Sequence, residues 1–247
     1  MIYINATHPR PPIDSFDLCS ELNFNEYDNA LYLGKGSNDY YFLIKAKEKT
    51  ISTCDVNKNT KAIVGEAFDS CYNLTTVNLP DGIEYIGELA FNGCKSLKNI
   101  TLPNSITEIR FRAFAECSEL EYINIPEKLT VISNALFLKC SKLKEINLPK
   151  GITEIGAQAF ECCSNLTKIN IPDKVKYIRM YAFAECISLT KIVIPKRVNM
   201  IEQYAFVNCN NLTIYCEVES EPYAWAGAVN SLWNFSDCPV IWGYSGE

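Results

Sequence analysis

Apolar positions along this chain recur every 23 residues, not at the 3.6-residue period of a helix or the two-residue period of a long strand. Phenylalanines stand at Phe68, Phe91, Phe114, Phe137, Phe160, Phe183 and Phe206. Leucines stand at Leu74, Leu97, Leu120, Leu143, Leu166, Leu189 and Leu212, and cysteines at Cys71, Cys94, Cys117, Cys140, Cys163, Cys186 and Cys209. Prolines keep the same step from Pro80 through Pro103, Pro126, Pro149 and Pro172 to Pro195. Four residue types holding one register without insertion define seven repeats. A repeat this short cannot bury its own apolar face, so the coils must stack into one continuous core.

One unit fixes the expected local structure. In Leu97-x-x-Ile100-x-Leu102 the apolar side chains turn inward from a short strand, and Pro103 ends the ladder because it has no N–H to donate. Ile83-x-x-Ile86 predicts a second short extended piece on the opposite wall. Ala90-Phe91-x-x-Cys94 predicts a helical or 3-10 turn that carries Phe91 into the core. The fold class is therefore a right-handed leucine-rich-repeat solenoid, mostly short strands. At a strand spacing of about 4.8 Å, seven coils make a rod roughly 34 Å long.

The pattern divides the chain into four parts: an extended arm at 1–20, an N-terminal β-cap at 21–60, seven repeats at 61–217 and a C-terminal cap at 218–247. Leu31-Tyr32-Leu33, Tyr40 through Ala46 and Thr50 through Cys54 read as strands separated by turns. In the last repeat, Leu212-Thr213-Ile214-Tyr215-Cys216-Glu217 is one residue short and lacks its proline. All three tryptophans, Trp225, Trp233 and Trp242, follow it. They suit an aromatic lid on the final coil, since an open solenoid end exposes core and strand edges. A sugar-stacking platform is the alternative.

Composition excludes some functions. Apolar residues make up 48% of the chain and charged residues 21%, enough for a packed core. The net charge of −6 argues against a phosphate-held nucleic-acid partner. Glu217 to Glu247 has five acidic residues and no Lys or Arg, whereas 61–216 is balanced at 17 basic and 16 acidic. No apolar run reaches the roughly 18 residues of a membrane-spanning helix. Met1-Ile2-Tyr3-Ile4-Asn5 lacks the basic start and apolar stretch of a secretory signal, which leaves open an intracellular protein or one whose leader has been removed.

Catalytic groups are scarce. His8 is the one histidine and stands in the arm, which argues against Ser-His-Asp and Cys-His sites. Gly87 and Gly156 share one repeat position and read as a turn requirement, not a phosphate loop. No Cys-x-x-Cys spacing supports a metal site, and no cofactor is expected. The ladder cysteines read as small buried apolar residues. Among Cys19, Cys54, Cys162, Cys216 and Cys238, which stand off the ladder, Cys216 with Cys238 is the one candidate disulfide, both lying near the C-terminal cap. Asn-x-Ser/Thr sites at Asn5, Asn73, Asn99, Asn165, Asn211 and Asn234 would matter only in a secreted eukaryotic protein.

The unit Ile-x-x-Ile-Gly-x-x-Ala-Phe-x-x-Cys-x-x-Leu-x-x-Ile-x-Ile-Pro resembles the BspA-like (Treponema pallidum-type) leucine-rich repeat over residues 61–217. The flanks Asn25–Gly34 and Tyr215–Tyr244 also look similar to those of bacterial members. That resemblance implies a surface-exposed or secreted, non-catalytic protein linked to adhesion to host proteins or other cells.

Solenoids bind through exposed sheet faces. Between the inward residues, two outward stripes are expected. One runs through Asn78, Thr101, Asn124, Asn147, Asn170 and Val193, the other through Thr76, Asn99, Tyr122, Glu145, Lys168 and Lys191. The candidate ligand face comprises Asn78, Asn99, Thr101, Tyr122, Asn124, Glu145, Asn147, Lys168, Asn170 and Lys191. It suits hydrogen bonding to a polypeptide backbone or a glycan, by a chain expected to be monomeric. An intracellular protein–protein scaffold of the same fold is the alternative function.

Overall fold

The computed structural model describes residues 23–226 and 232–246. The proposed arm, with His8 and Cys19, lies outside them. The chain winds as a β-solenoid whose coils present three walls. The strand wall holds β4 (Thr53–Asp55), β6 (Thr76–Asn78), β8 (Asn99–Ile100), β10 (Tyr122–Ile123), β12 (Glu145–Ile146), β14 (Lys168–Ile169), β16 (Lys191–Ile194) and β18 (Thr213–Cys216). The opposite wall holds β5 (Ala62–Ile63), β7 (Tyr85–Ile86), β9 (Glu108–Ile109), β11 (Val131–Ile132), β13 (Glu154–Ile155), β15 (Tyr177–Ile178) and β17 (Met200–Ile201). Where neighbours on a wall pair, they pair in parallel, as winding in one sense requires.

The third wall is built of turns. Ala90-Phe91-x-x-Cys94 forms overlapping β-turns, not a helical turn: the Asn92 N–H bonds Leu89 and the Cys94 N–H bonds Phe91. Two residues per coil take left-handed backbone. One series is Glu66, Leu89, Arg112, Ala135, Gln158, Tyr181 and Tyr204, the other Ser70, Gly93, Glu116, Lys139, Cys162, Glu185 and Asn208. These reversals point alternate N–H groups at the next coil, so Phe68, Phe91, Phe137, Phe160 and Phe183 donate to Ala90, Ala113, Ala159, Ala182 and Ala205. The bonds gained offset a conformation costing an L-residue about 1–2 kcal/mol. Among the described residues helix is found in short segments, such as α1 (Tyr223–Ala226).

Recurrent side chains fill the interior. The seven phenylalanines stack as one buried column. Each ladder cysteine from Cys94 onward donates its thiol to the phenylalanine carbonyl of the preceding coil, at 3.0–3.3 Å. Cysteine at this place is thus both a small apolar filler and a side-chain donor to a buried carbonyl, which in most coils also accepts the N–H of the cysteine three residues on. Burial raises these thiols far above their ordinary range, Cys71 to about 11 and Cys117 to about 12. Cys216 and Cys238 are separate free thiols, and Cys238 lies against the Cys209 carbonyl instead. Off-ladder Cys162 occupies a left-handed position.

The ends depart from the repeat. At the N-terminal side β1 (Asn25–Tyr27), β2 (Ala30–Lys35) and β3 (Asn38–Ala46) form an antiparallel meander, and β3 joins β5 in parallel. β4 pairs Thr53 with Thr76 and Cys54 with Val77. Repeat register therefore starts one coil before the segment where residue types recur, and the strand wall has eight coils, not seven. At the other end Lys191 pairs with Thr213, 22 residues on, which confirms the one-residue shortening. β19 (Val240–Ile241) continues the wall beyond β18. Trp233 meets Phe206 edge-on at 6.3 Å, and Trp225 Nε1 donates to the Val198 carbonyl. Both rings are buried, so they offer no sugar platform.

Candidate functional site: the strand wall

Alternation along β6 to β16 turns one residue set inward and leaves its neighbours outside. Thr101, Asn99, Tyr122, Glu145, Asn147 and Lys168 are exposed. Tyr122 is 54% exposed. It sits in register with Asn99 on the neighbouring strand, and Glu145 sits in register with Lys168. The face thus carries one aromatic ring, amides and a hydroxyl, and a charge that changes sign between adjacent coils.

The other candidates are already engaged. The Asn124 amide bridges the main chain of Leu102: its Oδ1 accepts the Leu102 N–H at 2.8 Å and its Nδ2 donates to the carbonyl at 2.7 Å. Asn170 does the same to Leu148, at 2.9 and 3.1 Å. Asn78 donates to Asp55. Asn147, at the same place in its coil, makes no such bridge among the described residues. The difference follows the hydrogen-bonded pairing of the wall, which joins β8 with β10 and β12 with β14. Asn124 and Asn170 each bridge back to the strand partner preceding them.

Lys191 is held too. Its Nζ donates to the Tyr244 hydroxyl at 2.9 Å and lies 4.5 and 4.7 Å from the ring centres of Tyr215 and Tyr244. The Tyr244 hydrogen bond holds its ammonium above the ordinary lysine range. Sequence spacing could not show this, because Tyr244 comes from beyond the repeats.

The opposite wall differs in character. Arg179 forks between Glu154 and Glu202 at 2.8 Å each, over the ring of Tyr177. Arg179 thereby ties its coil to the one before and the one after. Among the described residues no three His, Cys, Asp or Glu side chains converge on a possible metal position. No helix among them is long and apolar enough to cross a membrane.

Comparison with known proteins agrees with this architecture. The leucine-rich repeat protein of T. pallidum is similar at 28% identity and a TM-score of 0.65, over 73% of this chain and 87% of that one. A leucine-rich repeat protein from Eubacterium ventriosum superposes at a TM-score of 0.68 with 24% identity, over 85% of this chain and 54% of that one. One from Bacteroides ovatus gives a TM-score of 0.57 with 20% identity, over 81% and 70%. The chain thus spans about half the length of the Eubacterium protein. None of the curated proteins matches it. The BspA-type leucine-rich repeat region matches residues 61–182 and 109–221, in six copies. With more than half its length so matched, the chain belongs to the BspA-type leucine-rich repeat family.

Proposed function

We propose that this protein is a non-catalytic binding module of the adhesion type, taking a protein ligand on the strand wall. The observation that carries this reading is the exposed cluster of Tyr122, Asn99, Glu145 and Lys168. A half-exposed tyrosine beside uncommitted polar groups has the composition of an interface anchor. Asn124, Asn170 and Lys191 act as the framework that holds this face in shape. The N-terminal meander and the tryptophan-rich segment close the two ends of the core.

Surface or secreted placement with host or neighbouring-cell ligands is supported by the family resemblance alone. The free buried cysteines favour a second reading, an intracellular protein–protein scaffold. Pull-down from host-cell surface extract and from cytosol, with wild type and a Tyr122→Ala/Lys168→Glu variant side by side, tests both. A partner from the surface extract that the variant loses supports adhesion, and one from cytosol supports the scaffold. A partner that the variant retains equally removes the strand wall from either reading.

A further inference from the structure

The opposite wall is interrupted at one coil boundary, and the strand wall is unpaired there too, as it is between β6 and β8 and between β14 and β16. On the opposite wall the ladder runs from β1 to β9 and again from β11 to β17, with no pairing between β9 and β11. On the strand wall, β10 and β12 belong to separate sheets. The Phe114–Phe137 centroid distance, 6.1 Å, is the widest step in the phenylalanine column. The cause is local. The carbonyls of Ile63, Ile86, Ile132, Ile155 and Ile178 accept a main-chain N–H from the next coil. The Ile109 carbonyl accepts the hydroxyl of Ser133 instead. A short hydroxyl side chain competing for a ladder carbonyl opens the strands beside it. The turn wall keeps the two coils together, through the Phe114 N–H to Leu136 and ion pairs of Lys139 with Glu116 and Lys142 with Glu119.

The opening is a groove of about 530 Å³, within the range of small-ligand sites. Glu108, Phe111, Thr130, Ser133, Asn134 and Glu154 line it. We propose that this crease is a saccharide-binding site, distinct from the strand wall and taking one or two neutral sugar rings. Sugars present an apolar ring face and a rim of hydroxyls. They need an accessible aromatic ring together with planar carboxylates and amides that accept or donate to vicinal hydroxyls. Phe111 supplies the ring, 38% exposed. The Arg112 guanidinium, 5.4 Å from its centroid, steadies it. Glu108 and Glu154 supply acceptors, Asn134 an amide and Thr130 a hydroxyl. Each carboxylate is already paired with an arginine, Glu108 with Arg110 and Glu154 with Arg179. That pairing leaves a near-neutral lining, which disfavours an ionic ligand.

A printed array of neutral mono- and oligosaccharides, probed with labelled wild type, Phe111→Ala/Thr130→Val and Tyr122→Ala/Lys168→Glu, tests this. Thermal melting checks that each variant is folded; both altered pairs are at exposed positions. Wild type and the strand-wall variant should share the same positive glycans, with a loss of tenfold or more in the crease variant. No positive glycan, or undiminished binding by the crease variant, overturns it. Loss in the strand-wall variant alone places the sugar on the strand wall and overturns it equally. Failure here leaves the protein-binding reading standing, because that reading concerns the other wall.

Discussion

The thiol of Cys140 donates to the carbonyl oxygen of Phe114, one coil earlier, at 3.1 Å. This bond recurs along the rod and explains the choice of cysteine over alanine. Removing it leaves a buried acceptor unpaired, which costs about 1–3 kcal/mol. Cys140→Ala and the volume-keeping Cys140→Val should each lower stability by about 1–2 kcal/mol in urea denaturation. A Cys140→Val variant as stable as wild type would show that only volume matters.

The same thiols give the protein an alkaline limit. Burial holds Cys71 at about 11 and Cys117 and Cys209 at about 12 in the folded state, against 9.0 without burial. Folded pKa values raised above the unfolded ones mean that the unfolded chain loses protons first. Stability is fully present below pH 9 and falls from there towards pH 12, each thiol contributing up to about 1.4 kcal/mol per pH unit. Denaturation midpoints measured from pH 7 to 11 should fall steeply above pH 9. Changing two ladder cysteines to alanine should make the fall shallower; an unchanged slope would assign it to other groups.

Phe114 lies between Phe91 and Phe137, at 5.2 and 6.1 Å. Phe114→Ala should cost about 3–5 kcal/mol, read as a drop in the denaturation midpoint. A loss under 1 kcal/mol would mean that the column is not continuous.

Backbone demands differ between two kinds of position. A Cβ on Gly87 would stand 2.3 Å from the Gly65 nitrogen, so Gly87→Ala should destabilise by at least about 2 kcal/mol through forced separation of the coils. Lys139 is left-handed at φ 60°. Lys139→Gly should be close to neutral, whereas Lys139→Ile should cost about 1–2 kcal/mol. Thermal melting of the three variants checks the order.

Much of this fold is legible in the sequence because the columns of Phe, Leu, Cys and Pro each do one job per coil. The coil at Thr53–Asp55 escapes that reading, since it keeps the spacing but not the residue types. Phe91 enters the core through left-handed turns instead of a helical one because inter-coil bonds outweigh local preference. The candidate face is legible only in part. Asn124, Asn147 and Asn170 stand at one repeat position between an isoleucine and an aliphatic residue before proline, and the difference between them follows strand pairing. The crease has a faint signal, a serine at 133 where Gly87 and Gly156 stand in other coils. Its effect depends on a carbonyl 24 residues earlier.

Affinity for a partner captured by wild type is to be measured by biolayer interferometry with wild type, Tyr122→Ala/Lys168→Glu and, as control, Phe111→Ala/Thr130→Val, all with matched melting temperatures. The strand-wall variant should lose at least tenfold in affinity and the control should keep the wild-type constant. Equal affinity of the strand-wall variant and wild type would contradict binding on the strand wall.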